Sequence, residues 1–273
     1  MDRFAEKYLR KEKIPGTTCA GCGLGQVHKK IIVAIDELGL GIADIVWGTG
    51  IGCAGRQTFN TWKGDNFAGT HGRVYALAAG LRVSLPPEQK IIITAGDGDA
   101  FGIGLLHLLH CARRNVDMTV IVADNFGYQS TGGQFGYTTP IGYKTVSSPY
   151  GVQEANWLQN GIDILEILKN AGAAFLARHT SFEGHSAVDS VKKAINKKGF
   201  TLVHFIFPCV TNFGGAALGS RDPAKSYEWI KSLTLPDSPF PVKTGVFYES
   251  GTERPEFAET LRTLTEKVGS GHV

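Results

Sequence analysis

Short apolar runs alternate with longer amphipathic segments along most of this chain. Runs with the length and β-branched content of buried strands are Asp44–Trp47, Lys90–Thr94, Met118–Ala123, Ala174–Arg178 and Leu202–Phe207. Apolar residues at helical spacing predict helices at Val27–Leu38, about Gly72–Ser84, Phe101–Arg114, Ile162–Ala171 and Ser186–Lys197. Strands that alternate with helices predict an α/β fold with a mostly parallel, doubly wound sheet, in which ligands bind at the carboxyl ends of the strands.

Two stretches lack such a pattern. The segment Asn125–Gly151 is rich in Gly, Thr, Tyr and Pro, and a patternless segment of this length inside a domain is usually functional or disordered. From Val210 to Val273 the pattern is irregular and interrupted by proline. We therefore expect a main domain over residues 1–209 and a C-terminal extension, residues 210–273, that packs on this domain or on a partner.

Composition and charge argue against several classes of protein. The net charge of +3 over 273 residues is slight, and no basic stripe interleaved with aromatic residues is present, so nucleic acid is a poor candidate partner. The apolar runs are shorter than the roughly 18–20 residues that span a bilayer, and Met1–Lys13 has no apolar core of a secretory signal. Five cysteines without such a signal indicate thiols or metal ligands in a reducing compartment, which predicts a cytoplasmic protein.

Polar residues that suit a divalent cation follow two of the predicted strands. Gly96-Asp97-Gly98-Asp99 comes after Lys90–Thr94, and Asn125 comes after Met118–Ala123. A crossover of one helix is right-handed and places both strand ends on one edge of the sheet. Carboxylate and amide oxygens there can hold a divalent cation, and the helix that opens at this loop favours a diphosphate.

Four cysteines fall in loops that the fold brings to the same region. Cys19-Ala20-Gly21-Cys22 is a CxxC motif, Cys53 follows the first strand, and Cys209 follows Leu202–Phe207. Four thiolates can hold a tetrahedral zinc ion or an iron–sulfur cluster, and spacing alone does not separate these from buried cysteines without a metal. Cys111, inside a predicted helix, is interpreted as a core residue.

Two other motifs invite a functional interpretation. Gly50 to Gly55 satisfies the G-x-G-x-x-G pattern, but Arg56–Gly64 looks like a loop and residues 72–80 contain no carboxylate, so we do not predict a dinucleotide site. His71-Gly72-Arg73 opens a helix after a glycine-containing loop. The structural interpretation of this segment is a helix cap or a solvated turn, and the functional interpretation is contact with an anion or a substrate.

Taken together, the motifs resemble those of one enzyme family, the β subunits of 2-oxoacid:ferredoxin oxidoreductases. The resemblance covers most of residues 14–215. Its motifs, in order, are Cys19-Ala20-Gly21-Cys22-Gly23, Gly50-Ile51-Gly52-Cys53, Thr70-His71-Gly72-Arg73, Gly96-Asp97-Gly98-Asp99, Thr131-Gly132-Gly133-Gln134 and Pro208-Cys209-Val210-Thr211. The Gly-Ile-Gly-Cys loop is similar to the 2-oxoglutarate-type branch.

The resemblance implies a thiamine diphosphate-binding fold and a set of site residues. Mg²⁺ on the diphosphate would be held by Asp97, Asn125 and the carbonyl of Gly127. One [4Fe–4S] cluster would be held by Cys19, Cys22, Cys53 and Cys209. Further cofactor contacts are expected at Gly96, Gly98, Asp99, Tyr128 and Thr131, and His71 and Arg73 are the candidate catalytic residues.

The implied reaction is the oxidative decarboxylation of a 2-oxoacid to an acyl-CoA and CO₂, with electrons passed to ferredoxin. The resemblance also implies an α subunit as partner and predicts further γ- or δ-type subunits. An aromatic, branched or dicarboxylic 2-oxoacid remains open, because Tyr128-Gln129-Ser130-Thr131 departs from the Gly-Met sequence of many 2-oxoglutarate-using relatives. Two alternatives also stay open: a non-redox thiamine-diphosphate decarboxylase or synthase subunit with structural cysteines, and a non-catalytic subunit that holds zinc.

Overall fold

Most of the chain is described by the structure, a computed structural model that covers residues 2–153, 163–238 and 240–270. The strands are β1 (Ile45–Thr49), β2 (Asn66–Ala68), β3 (Lys90–Gly96), β4 (Met118–Asp124), β5 (Phe175–Thr180), β6 (Phe200–Ile206) and β7 (Gly245–Glu249). The α-helices are α1 (Asp2–Tyr8), α2 (Leu24–Glu37), α3 (Cys53–Thr61), α4 (Val74–Ser84), α5 (Leu105–Arg113), α6 (Ile164–Ala171), α7 (His185–Asn196), α8 (Asn212–Ala217), α9 (Pro223–Ser232) and α10 (Phe257–Gly269).

These strands form a seven-stranded sheet in the order β2-β1-β3-β4-β6-β5-β7. Every neighbouring pair is parallel except β5 and β7, which are antiparallel. One apolar cluster packs α2 and α7 on one face of the sheet, and a second packs α4, α5 and α6 on the other. Helices on both faces explain why β3 and β4 are almost continuously apolar, and the predicted α/β, doubly wound fold is confirmed.

The predicted strands and helices on the two faces are present, with ends that differ by a few residues. The largest difference lies after β3, where one helix was predicted over Phe101–Arg114. Residues Gly98–Ile103 instead form a π-helical turn with non-helical dihedral angles at Gly102, and α5 begins at Leu105. The first residue of the predicted helix Ile162–Ala171 lies outside the described residues.

The prediction of a loop at Arg56–Gly64 is wrong, because α3 runs from Cys53 to Thr61. Helix α3 packs so closely on the preceding turn that a side chain at Gly55 would collide with the carbonyl of Gly50. The glycine that permits this contact also weakens the helical pattern in the sequence. The short strand β2 follows α3 and was not predicted either.

The C-terminal residues contain more regular structure than their sequence pattern indicates. Helices α8 and α9 surround an aromatic group in which Phe126 contacts Phe213 and Trp229. Strand β7 then adds to the edge of the sheet beside β5. Residues of α10 pack against the α4 and α5 face. The division at residue 209 stays a prediction, but the extension contacts the main sheet along most of its described length.

Candidate active site

Asp97 and Asn125 lie side by side at the carboxyl ends of two neighbouring strands. Strands β3 and β4 pair in parallel with Gly96 opposite Ala123, so the residues that follow them emerge on one edge of the sheet. Both side chains are buried, with 2% of Asp97 and 7% of Asn125 exposed. The arrangement expected from the sequence is therefore present.

The carboxylate of Asp97 is held by donors from the loop after β4. Its Oδ2 accepts hydrogen bonds from the Gly127 N–H and the Thr138 hydroxyl, both at 2.7 Å, and its Oδ1 accepts one from the Asn125 N–H at 3.4 Å. Burial, and then the neighbouring Asp124 carboxylate, raise the pKa of Asp97 well above its usual value. A cation at this position would offset both effects and favour the ionised form.

Three oxygen atoms converge beside this carboxylate. The Oδ1 of Asn125 lies 3.1 Å from the carbonyl oxygen of Gly127 and 3.3 Å from Oδ1 of Asp97. Three acceptors repel one another unless a cation lies between them or the amide rotates to present its NH₂ group. Adjacent ligands of octahedral Mg²⁺, at ~2.1 Å from the metal, are about 3 Å apart. These residues therefore fit a magnesium ion.

The backbone after β4 takes an unusual path that aims these oxygens. Phe126 has a positive φ of 66°, which is rare for a residue other than glycine, and Gly127 follows with a φ of 137°. The Phe126 ring packs against Trp229 with centroids 4.9 Å apart. This contact with α9 stabilises a turn that the local sequence alone would not favour.

A cleft with a volume of about 140 Å³ opens above the strand ends. The predicted residues that line it are His71, Gly96, Asp97, Gly98, Asp99, Asn125, Gly127, Tyr128, Thr131 and Cys53. Residues that line it and were not predicted include Gln129 and Ser130. Of the four cysteines in the expected thiol group, Cys53 is the one among the lining residues of this cleft.

Asp99 and Arg73 have partners that were not anticipated. Oδ1 of Asp99 accepts a hydrogen bond from the Gly72 N–H at 2.8 Å and lies 2.6 Å from Nδ1 of His71, so this carboxylate organises the cleft loops. Arg73 is not among the residues that line the cleft, and its Nη1 lies 2.6 Å from Nε2 of His107. Their predicted roles stay predictions.

The loops of the CxxC motif and of Cys209 are joined by a backbone hydrogen bond, and Cys53 lines the cleft. Burial, and to a smaller extent the negative charges of nearby Cys209, Cys53 and Cys19, raise the pKa of the Cys22 thiol to about 12. The N–H of Gly23 donates to the carbonyl of Pro208 at 3.2 Å, which ties the CxxC loop to the loop of Cys209.

Two helix ends lie next to these thiols. Cys53 is the first residue of α3, and α2 begins at Leu24, two residues after Cys22. Helix N-termini favour negative charge, which fits thiolate ligands. Cys111 is buried in α5 and its Sγ lies 3.6 Å from the carbonyl of Tyr75, as expected for a core residue.

The described part of the chain has neither a cluster of metal-ligating side chains nor a membrane-spanning helix. Within residues 2–153, 163–238 and 240–270, no three His, Cys, Asp or Glu side chains are grouped closely enough to hold a metal ion. A tetrahedral zinc site with Zn–S distances of ~2.3 Å is therefore not preformed there. The oxygens of Asp97, Asn125 and Gly127 are a different kind of group, with one carboxylate only. No helix in those ranges has the length and hydropathy needed to span a membrane.

The residues that contact Asp97 and hold it in place were not among those predicted from the sequence. Thr138 lies 41 residues after Asp97, and its hydroxyl oxygen also lies 3.0 Å from Oδ1 of Asp124. Asp124 in turn contacts Nε2 of His204 at 2.9 Å. A signal was available, since Asp124 and His204 are polar residues in or at the end of predicted buried strands. The position of Thr138 inside a long loop had no such signal.

Comparison with known proteins shows the family to which the chain belongs. Residues 50–205 match the C-terminal thiamine pyrophosphate-binding domain of thiamine pyrophosphate enzymes. The chain is 35% identical over 276 residues to the 2-oxoglutarate synthase subunit KorB of Methanocaldococcus jannaschii, covering 97% of this chain and 98% of the relative. It is 34% identical over 195 residues to the β subunit of 2-oxoacid:ferredoxin oxidoreductase 2 of Aeropyrum pernix, covering 71% and 60% of the two chains.

A solved structure is also similar over nearly the whole chain. It is a 2-oxoglutarate:ferredoxin oxidoreductase from Magnetococcus marinus with 2-oxoglutarate, coenzyme A and succinyl-CoA bound, with a TM-score of 0.81 and 25% identity over 97% of this chain and 90% of that one. The fold and the domain match define a thiamine pyrophosphate enzyme. Within that class, the chain belongs to the family of 2-oxoacid:ferredoxin oxidoreductase β subunits, which confirms the resemblance and the prediction of an enzyme that acts with partner subunits.

Proposed function

We propose that this subunit binds thiamine diphosphate through Mg²⁺, holds one [4Fe–4S] cluster, and takes part in the oxidative decarboxylation of a 2-oxoacid to an acyl-CoA and CO₂ with electron transfer to ferredoxin. When bound, thiamine diphosphate supplies a carbanion and an electron sink for decarboxylation. The observation that carries the proposal is the placement of Asp97, Asn125 and Gly127 together beside the cleft, after two parallel neighbouring strands.

The residues around those oxygens suit a diphosphate. The loop Gly96–Gly98 leads into the helical turn Gly98–Ile103, and Tyr128 packs so closely that side chains at Gly98 or Gly102 would meet its ring or hydroxyl. Glycine at these two positions therefore makes room for Tyr128 beside the loop, and the start of the turn favours negative charge. Gly96, Gly98, Tyr128 and Thr131 would contact the cofactor, and His71 would lie on the side of the cleft where substrate enters.

The cysteine group supports the redox part of the proposal. Cys19, Cys22, Cys53 and Cys209 influence one another electrostatically although they are not spaced for a single metal ion. Four cysteine thiolates are the usual ligand set of a [4Fe–4S] cluster, and these four are the cysteines that the family resemblance assigns to it. Because Cys53 lines the cleft, a cluster bound to it would lie next to a cofactor in that cleft, which suits electron transfer.

The substrate proposed first is 2-oxoglutarate, with coenzyme A as the acyl acceptor. This choice rests on the relative named 2-oxoglutarate synthase subunit, which aligns along almost its full length, and on the similar structure that binds 2-oxoglutarate and coenzyme A. The partners proposed are an α subunit, further γ- or δ-type subunits, and ferredoxin, in the cytoplasm. Residues 1–209 would carry both cofactors, and residues 210–273 would pack on them.

The test is anaerobic purification of the chain together with co-expressed partner subunits. We expect bound thiamine diphosphate and magnesium, about four irons and four sulfides per chain, and 2-oxoglutarate-dependent reduction of a viologen dye that requires coenzyme A. Pyruvate and phenylpyruvate serve as comparison substrates. Absence of thiamine diphosphate from the complex would refute the proposal. A colourless zinc-containing complex, or release of CO₂ and aldehyde without an electron acceptor, would refute its redox part.

A further inference from the structure

A row of buried polar side chains crosses the sheet next to the proposed magnesium site. Arg178 on β5 pairs in register with His204 on β6, and His204 pairs with Val122 on β4, two residues before Asp124. The three polar side chains therefore share one face of the sheet and are each at most 2% exposed. Asp163, which caps the N-terminus of α6, completes the set. We call Asp163, Arg178, His204 and Asp124 the polar row.

The hydrogen bonds along the polar row have a defined direction. Arg178 donates to both carboxylate oxygens of Asp163, at 2.8 and 2.6 Å, and its Nε donates to Nδ1 of His204 at 3.0 Å. Because Nδ1 accepts, the proton of the neutral ring is on Nε2. Nε2 therefore donates to Oδ2 of Asp124 at 2.9 Å. The row ends on a carboxylate with a fixed orientation.

Asp124 contacts the loop and the side chain that hold the proposed ligands in place. Its Oδ1 accepts the Phe126 N–H at 2.9 Å, which fixes the turn between Asn125 and Gly127. The same oxygen lies 3.0 Å from the Thr138 hydroxyl, which lies 2.7 Å from Oδ2 of Asp97. The row thus contacts both sides of the magnesium site.

Stability alone does not account for this row. Buried ion pairs are often no more stabilising than well-packed apolar residues of similar volume, and β4, β5 and β6 are otherwise largely apolar. Hydrogen bonds to metal ligands, by contrast, commonly set their orientation and the affinity for the metal. We propose that the polar row, acting through Thr138 and the Phe126 N–H, positions Asp97 and the Asn125–Gly127 turn to bind magnesium. This inference rests on the proposed function, and the residues are positioning residues.

The first test is Thr138→Val, which removes the bridging hydroxyl and keeps the shape of the side chain. Its control is Thr201→Val, on β6 of the same sheet and away from the cleft, which removes a fully buried hydroxyl that donates to the carbonyl of Ala194 in α7. Mg²⁺ is titrated by calorimetry into EDTA-treated complex in the presence of thiamine diphosphate. We expect Thr138→Val to weaken Mg²⁺ binding roughly 10- to 100-fold and Thr201→Val to stay within about twofold of wild type.

The second test changes the far end of the row. Asp163→Asn keeps a helix cap but weakens the contact with Arg178, and its control is Asp222→Asn, since Asp222 caps α9 through the same 2.9 Å bond to the N–H two residues later. We expect Asp163→Asn to weaken Mg²⁺ binding roughly 3- to 10-fold and Asp222→Asn to have no effect. The thermal midpoint of metal-free protein is measured in parallel, because a purely structural role would lower that midpoint and leave Mg²⁺ affinity unchanged.

The outcomes separate this inference from the proposed function. Wild-type complex that fails to bind Mg²⁺ with thiamine diphosphate would refute both. If wild type binds, Thr138→Val within about twofold of it would refute the inference alone. So would loss of affinity in Thr138→Val with Asp163→Asn equal to its Asp222→Asn control, since the effect would then be confined to the Thr138 contact.

Discussion

Two regions are built in different ways: the carboxylate edge of the cleft, formed by Asp97 and Asn125, and the cysteine group beside it, formed by Cys19, Cys22, Cys53 and Cys209. Asp97 and Asn125 directly follow two paired strands, and their side chains are almost fully buried. The cysteines lie on loops and at a helix start, and range from exposed Cys19 to buried Cys209. The sheet itself places Asp97 beside Asn125, so we expect the proposed cation site to need little rearrangement, whereas we expect the loops of the cysteine group to need their metal to reach a final arrangement.

The largest effect is expected at the preformed edge. Asp97→Ala removes the proposed magnesium carboxylate, so thiamine diphosphate and Mg²⁺ binding should weaken more than about 100-fold. Circular dichroism should be unchanged, because the residue lies in a loop beyond the strand. The control is Asp117→Asn, at the opposite end of β4, where the carboxylate accepts the Gly199 N–H at 3.0 Å. Retained cofactor affinity in Asp97→Ala would contradict the assignment.

The cysteine group is tested by Cys209→Ser. Loss of one thiolate should cause loss or destabilisation of the cluster and of its broad visible absorbance, and should lower acceptor reduction more than decarboxylation. Thiamine diphosphate binding should be nearly unaffected, because the two sites are held by different elements. Cys111→Ser is the matched control, since that thiol is buried in α5. Normal iron content in Cys209→Ser would remove Cys209 from the ligand set.

Acid should affect the two regions of the metal-free chain in opposite directions. Burial lowers the pKa of His28, on the helix after the CxxC motif, to about 4, so the stability that its neutral ring contributes above pH ~6.5 is lost as pH falls towards 4. The full effect is about 3 kcal/mol. Burial raises the pKa of Asp124 to about 6. The protonated side chain therefore contributes folding stability in acid, and this contribution is lost as pH rises through about 6.

Hydrogen exchange between pH 7 and pH 4 would measure this difference. We expect α2 to lose protection as pH falls, while β3 and β4 do not. In His28→Leu the acid sensitivity of α2 should disappear, and in His185→Leu, where the histidine is exposed, it should remain. Equal loss of protection in α2 and β4 in the wild-type chain would show that the two regions do not respond separately.

The smallest effect is expected at Arg73. Its guanidinium contacts His107 outside the residues that line the cleft, so Arg73→Gln should change kcat and KM by less than about threefold. His71→Ala, at a residue that lines the cleft, should have the greater effect in the same assay. A loss of 100-fold or more in Arg73→Gln would show that Arg73 reaches the substrate in the assembled enzyme.

Prediction from the sequence succeeded where a local pattern and a general rule of topology were sufficient. Parallel neighbouring strands bring their carboxyl ends together, and this rule alone placed Asp97 beside Asn125. It failed at α3, where Gly55 serves a contact with Gly50 that no local pattern records. It also failed at Thr138, whose contact with Asp97 depends on the path of a long loop. Tertiary contacts across many residues decide such positions.

The left-handed conformation of Phe126 has a consequence for how this chain can be shortened. Such a conformation costs roughly 1–2 kcal/mol, and the rings of Phe213 and Trp229, both beyond residue 205, pack against it. A fragment trimmed to residues 50–205, the part shared with other thiamine pyrophosphate enzymes, would lose these rings and expose the edge of β5 that β7 covers. We therefore expect the smallest stable fragment that keeps this turn to extend beyond residues 50–205.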